Sequence, residues 1–167
     1  LYTENYDSII NYLMGVLGLS FKRMARIDIA VDGETNEKLI YWLNKLCKSK
    51  TVQLNNKAIS ISADELNKDV ERWEYFLIGK GKSGISARIY NKTKEVIKKR
   101  KKYITEYWVK NCIAHQNVWR FEIQLNYKKL RKYHFELSDL KHFKDAGFIG
   151  AIFTNEVRLW LRLYHVR

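Results

Sequence analysis

Two stretches of this chain change polarity at every residue, and together they constrain the fold more than any other feature. In Arg26-Ile27-Asp28-Ile29-Ala30-Val31-Asp32, the side chains of Ile27, Ile29 and Val31 fall on one side and those of Arg26, Asp28, Ala30 and Asp32 on the other. In residues 117–127 (NVWRFEIQLNY), Trp119, Phe121, Ile123 and Leu125 oppose Arg120, Glu122, Gln124 and Asn126. Successive strand side chains point to opposite faces, so each stretch is a strand with one face to bury. Asp32-Gly33 reads as the turn that ends the first. Residues 73–80 (WEYFLIGK) and 85–92 (ISARIYNK) read as a hairpin around a Gly- and Lys-rich turn. In an antiparallel sheet covered on one side, every apolar set must point at the cover. The opposite face then collects Arg26, Asp28 and Asp32, then Ser86, Arg88, Tyr90 and Lys92, then Arg120, Glu122 and Gln124. Carboxylates, arginines and a tyrosine are poor material for a core and good material for a site.

The cover comes from helices. Residues 4–18 have helical apolar spacing, and so do residues 36–48, with Thr35 as their N-cap and Leu39, Ile40, Trp42, Leu43 and Leu46 as a buried stripe. Residues 93–112 read as one helix, and 51–62 as a hairpin around Asn55-Asn56, while 63–72 are polar without a pattern. From about 138 to 167 the chain reads as helical, with an apolar run at 146–153 and a basic amphipathic end at 156–166. The expected fold class is α+β: an antiparallel sheet with helices packed on one face and a polar face left open for a site. At 167 residues, 1–167 reads as a single domain, and its start at Leu1 suggests a fragment of a longer chain.

Charge narrows the partner. Lys+Arg number 31 against 18 Asp+Glu, a net +13, which favours a polyanion, most often nucleic acid. An anionic membrane surface is the other reading, but no run of about 20 apolar residues provides a span, and the expectation is no membrane partner. Cys47 and Cys112 lack metal or pairing motifs and read as buried thiols of a cytoplasmic protein. Gly81-Lys82-Ser83 lacks the upstream glycine of a phosphate loop and turns between strands, so nucleotide binding is rejected.

The polar face suggests phosphoryl chemistry. Carboxylates from neighbouring strands suit a hard divalent cation such as Mg²⁺ or Mn²⁺, which can withdraw charge from a phosphate oxygen. Tyrosine can act as a nucleophile. Its ordinary pKa near 10 requires a cation or metal to favour the phenolate. Arg88, Lys92, Arg120 and the following lysines are placed to do so, and Arg suits bidentate phosphate contacts.

These residues resemble the replication initiation factor family (Rep_trans), the rolling-circle plasmid replication initiators and related relaxases of integrative elements. The resemblance rests on an R-x-D-x-x-x-D strand at Arg26–Asp32 and an F-x-I-G-x-x-x-S hairpin at Phe76–Ser83. It continues with R-x-Y-[ND]-K-x-x-E at Arg88–Glu95 and W-R-x-E-x-Q-L at Trp119–Leu125. It implies metal-dependent, sequence-specific nicking and strand transfer, with Tyr90 as the nucleophile of a covalent 5′-phosphotyrosine link. Asp28, Asp32 and Glu122 would be the metal ligands. Arg26, Arg88, Lys92, Lys98, Lys99, Arg100, Lys101, Lys102 and Arg120 would bind DNA. The implied partners are an origin hairpin and its single strand, a second copy of the chain and a host helicase. Other tyrosine nickases use a histidine pair around a hydrophobic residue. His115, His134, His142 and His165 form no such pair, so carboxylates must serve.

Each residue also has a plainer role available. Tyr90 could be one of many structural tyrosines, Asp32 a turn residue, Glu122 a cross-strand partner of Arg88 or Arg120, and Glu95 a first-turn acid. The lysine run 98–102 could be a solvated face, and the tail 158–167 a membrane-surface helix. At the level of function, the alternatives are a relaxase with the same chemistry and a non-catalytic nucleic-acid-binding module.

Overall fold

The computed structural model of the protein describes residues 6–34, 37–48, 59–60, 74–79, 84–113, 116–133 and 140–158. Its centre is an antiparallel sheet built from β1 (Arg26–Glu34), β2 (Ile59–Ser60), β3 (Tyr75–Ile78), β4 (Ile85–Asn91) and β5 (Val118–Asn126), in the order β1-β5-β4-β3-β2. All four neighbouring pairs are antiparallel. The inner strands β5, β4 and β3 are each hydrogen-bonded on both sides, and such strands are where a site needing fixed geometry is best carried.

Cross-strand register follows the sequence parity. Asp28 lies opposite Gln124 and Asp32 opposite Arg120. Ser86 lies opposite Gln124, Arg88 opposite Glu122, and Tyr90 opposite Arg120. Tyr75 then adds itself opposite Tyr90. The other parity forms the main core, with Ile29, Phe76, Ile78, Ile85, Ala87, Ile89, Trp119, Ile123 and Leu125 from the sheet. Ile40 and Leu43 of α2 (Glu37–Lys48) and Ile152 of α6 (Ala146–Glu156) cover it. Each of the larger side chains contributes on the order of 1.5–3 kcal/mol by leaving water. This is the α+β architecture the alternation requires.

Several elements differ from the sequence expectation. β1 does not stop at Asp32-Gly33: Gly33 pairs with Trp119 and Glu34 with Val118. The β5 ladder continues beneath them, and backbone pairing overrides the local turn preference. Val31 has core parity but is 51% exposed on the edge strand. The single helix expected over 93–112 is two, α3 (Lys92–Lys98) and α4 (Lys102–Lys110), separated by Arg100 at φ 51. The break lets Val96, Ile104 and Trp108 converge on Val118 in a second small core. Val118 has the parity of Arg120, so α3 and α4 close over one end of the polar face. Cys112 is exposed rather than buried, since it follows the end of α4 at Lys110.

At the N-terminal side, α1 (Tyr6–Leu17) matches the expected helix. The C-terminal third contains α5 (Tyr127–Leu130), 3-10 turns at Arg131–Tyr133 and Leu140–Lys144, then α6. Buried Glu156 at the end of α6 holds it there by accepting a hydrogen bond from Tyr133 and pairing with Lys129 at 2.9 Å. Gly84 opens β4 at φ 85, where an added Cβ would meet Asn126 Oδ1 at 2.6 Å. The turn around Asn55-Asn56, Thr35, the lysine-rich turn at 80–83 and the basic tail from 159 onward lie outside the described residues. No described helix is long and apolar enough to cross a membrane.

Candidate active site

Tyr90 is the next-to-last residue of β4, and the residues around it show why the segment Arg88–Glu95 has its composition. Asn91 caps α3, its Oδ1 accepting from Lys94 N at 3.1 Å. That cap turns the chain immediately after the strand and swings Lys92 back beneath the tyrosine. Thr93 Oγ1 accepts from Val118 N at 2.8 Å, fixing α3 to the start of β5. Glu95, one turn into α3, pairs with Lys92, with Lys101 at 2.7 Å and with Lys99 at 3.3 Å. One carboxylate thus ties together α3, the turn and Lys92, the neighbour of Tyr90.

The Tyr90 ring is half-buried, tilted against Tyr75 with centroids 5.7 Å apart. Its hydroxyl lies 3.4 Å from Glu122 Oε2, which can accept its proton, and 3.4 Å from Lys92 Nζ, which can donate to its oxygen. Both distances are long for hydrogen bonds, so the hydroxyl is not locked to the protein. Burial pushes the phenol above its ordinary value; Arg120 opposes this and Glu122 adds to it. The free protein therefore holds Tyr90 protonated.

The expected site residues divide into two groups. Arg88 sits between Glu122 and Asp28, its Nη2 bonding Glu122 and lying 3.3 Å from Asp28 Oδ2. Arg26 also contacts Asp28, at 3.2 Å, from an exposed position. Asp32 is elsewhere: its Oδ1 takes Arg120 Nε at 2.6 Å, and its Oδ2 takes Arg120 Nη2 at 2.6 Å and the Trp108 indole at 2.9 Å. The structure therefore brings Asp28 and Glu122 together and leaves Asp32 apart, both oxygens engaged. Among the described residues, no three His, Cys, Asp or Glu side chains are grouped as a metal site would group them. Asp28 and Glu122 are the two expected ligands that share a neighbour, both being paired with Arg88.

Two of the expected DNA contacts are also placed differently. Lys92 is only 3% exposed and bound to Glu95, and burial lowers its ammonium's pKa while Glu95 opposes that shift. It supports Tyr90 rather than lying open to a passing phosphate. Arg120 is held by Asp32. Lys98, Lys99, Arg100 and Lys102 do lie exposed, in the turn between α3 and α4 and not on one helical face. Trp108 and Tyr75 were not expected at the site. Tyr75 has the polar-face parity of its strand, a signal present in the sequence; Trp108 reaches Asp32 through the break at Arg100, which no periodicity announces.

Glu95 supplies a pH test. Burial alone would raise its carboxyl, but hydrogen bonds from Lys101 and Lys92 outweigh that and bring it from 4.5 to about 2. A depressed folded-state value stabilises above the unfolded value and is lost as pH falls. Glu95→Gln is thus expected to cost on the order of 1–2 kcal/mol at pH 7, the exposed lysines being screened. The gap to wild type should close between about pH 4.5 and 2, as read by urea titrations across that range.

Residues 22–160 match the model of the family described as replication initiation factor (Rep_trans). The chain belongs to that family. The match runs from just before β1 into the residues after α6, so the sheet, Tyr90 and the α3–α4 cover all lie inside the replication initiation factor region. No curated protein matches the chain.

Proposed function

We propose that this replication initiation factor nicks one DNA strand with Tyr90 and starts rolling-circle replication from the exposed 3′ end. The observation that carries the reading is the position of the Tyr90 hydroxyl. It lies between a proton acceptor and a cation, each 3.4 Å away, on the polar face of the inner strands. In the reaction the phenolic oxygen bonds to phosphorus and the P–O3′ bond breaks. A free 3′-hydroxyl and a 5′-phosphotyrosine remain, keeping the phosphodiester's energy for strand transfer. Glu122 Oε2 is the nearest acceptor for the phenolic proton, and Lys92 stabilises the oxygen as it loses it. Asp28 and Glu122 would hold a divalent cation. Once bound, that ion supplies charge withdrawal from the scissile phosphate.

The exposed cations Lys98, Lys99, Arg100 and Lys102 grip the strand beyond the cut. Replacing Lys98, Lys99, Arg100 and Lys102 together by Ala is expected to lower the slope of log affinity against log salt by about 3 for single-stranded DNA. Fluorescence anisotropy from 50 to 300 mM salt reads this directly. Pairing with a second copy is part of the same reading; the exposed Ile9, Leu13, Val16 and Leu17 of α1 support it.

Covalent trapping tests the proposal. The protein is mixed with supercoiled DNA of its own element and Mn²⁺, then run on denaturing gels with and without EDTA. A metal-dependent protein–DNA adduct is expected. Salt-sensitive binding with no adduct would replace the nickase with a non-catalytic nucleic-acid-binding module.

A further inference from the structure

A cavity of about 560 Å³ opens on the polar face beside Tyr90, between β3, β4 and β5. Its lining includes Tyr75, Ser86, Arg88, Gln124 and Asn126, with Gly79 and Gly84 at the rim. The volume falls within the roughly 300–1,000 Å³ of small-ligand pockets. The cavity lies one side chain away from the candidate nucleophile: the Tyr75 ring in its wall also lies against Tyr90, and Arg88 reaches both Glu122 and the cavity.

The lining selects a class of ligand. Among the described residues its lining holds a single cation, Arg88, which is already bound to Glu122 and Asp28, so a phosphate finds little there to neutralise it. What remains is neutral and directional. The Gln124 amide has no hydrogen-bond partner among the described residues, and neither has the Ser86 hydroxyl. Asn126 uses its oxygen to accept from Lys129 N at 3.2 Å, which leaves its amide nitrogen as the donor side. Tyr75 provides an aromatic wall. An aromatic face with adjacent amide donors and acceptors suits a flat, neutral, polar-edged molecule, and an unpaired nucleobase has that shape and chemistry.

We infer that this cavity takes one unpaired base of the strand being cut, within a few nucleotides of the scissile phosphate, with Tyr75 stacking on the base and Gln124 reading its edge. The inference rests on the proposal that Tyr90 is the nucleophile only in placing the base near the cut. Sequence preference at that position then arises from Gln124, because a primary amide places donor and acceptor side by side and favours one base edge over another. A bidentate contact of this kind discriminates by roughly ten-fold or more.

The test uses single-stranded oligonucleotides spanning the nick, with each nucleotide within three of the cut changed in turn to every other base and to an abasic residue. Binding is measured with Tyr90→Phe protein, so that a failure of the nucleophile reading does not affect the outcome. The abasic change at one position is expected to weaken binding several-fold, and the base preference there to exceed ten-fold. Adding Gln124→Ala should flatten the preference at that position alone, and adding Tyr75→Leu should remove the abasic effect, each protein's folding being checked by its melting temperature. An unchanged preference profile in Gln124→Ala, or equal binding of abasic and intact strands at every position, overturns the inference. Free nucleoside monophosphates at millimolar concentration should not compete; if they do, the cavity is a nucleotide site unrelated to the cut strand, and the inference again falls.

Discussion

Tyr90→Phe is expected to eliminate the covalent protein–DNA adduct, a fall of at least ~10⁴-fold in nicking rate, while leaving DNA affinity and folding intact. The substitution removes one oxygen. Among the described residues that oxygen makes two polar contacts, both at 3.4 Å, to Glu122 and Lys92. Neither is a short hydrogen bond, so stability should change by no more than about 0.5 kcal/mol. The rate effect is large because no other group takes over when a nucleophile is removed; losses of this order are usual for such deletions. Tyr75 is the competing candidate, with its ring 5.7 Å from that of Tyr90. Tyr75→Phe should keep the adduct. An adduct that survives in Tyr90→Phe and disappears only when Tyr75 is also changed would move the nucleophile to β3. Gel quantification of all three proteins, with anisotropy for binding, separates these cases.

The sheet and its polar face were legible because strand side chains alternate for covalent reasons. Given Ile27, Ile29, Trp119, Phe121, Ile123 and Leu125, burying one face forces Asp28, Arg88, Tyr90, Glu122 and Gln124 onto the other. The register pairs Arg88 with Glu122 and Tyr90 with Arg120 accordingly. What alternation cannot express is where a helix breaks and what it then covers. The run Lys98–Lys102 has no apolar residue to reward continuing the helix, and Arg100 adopts φ 51 there. That redirects Trp108 onto Asp32 and turns a surface carboxylate into a buried partner. Lys92 illustrates the same limit one turn earlier. Continued strand parity would place it on the open polar face. As the first residue of α3 it folds back instead, 3% exposed and bound to Glu95. Asp32-Gly33 shows the converse, where turn chemistry is overridden by a neighbouring strand that extends far enough to pair with it.

Asp32→Ala should behave as a folding mutation and not as the loss of a metal ligand. The Asp32 side chain is 8% exposed and that of Arg120 13%, and the two are joined by a fork of bonds at 2.6 Å, with the Trp108 indole donating at 2.9 Å. Removing the carboxylate leaves a guanidinium and an indole N–H in a partly buried site without their acceptor. Breaking one side of such a pair costs about 3–5 kcal/mol. In a domain of this size each kcal/mol lowers the melting temperature by roughly 2–4 °C, so a drop on the order of 6–20 °C is expected with or without Mn²⁺. Asp28→Ala makes the contrast. Its carboxylate is 29% exposed beside Arg26 and Arg88, and its loss should cost no more than about 1 kcal/mol while removing the thermal stabilisation by Mn²⁺ that the proposed metal site is expected to give the wild type. If Asp32→Ala instead melts like wild type in EDTA and loses only the Mn²⁺ response, Arg120 must release Asp32 to the ion when the metal binds. Arg120 lies opposite Tyr90 across the β4–β5 ladder and lowers its phenol's pKa. In the proposed reading, release of Arg120 from Asp32 would favour the Tyr90 phenolate more strongly, coupling metal binding to activation of Tyr90.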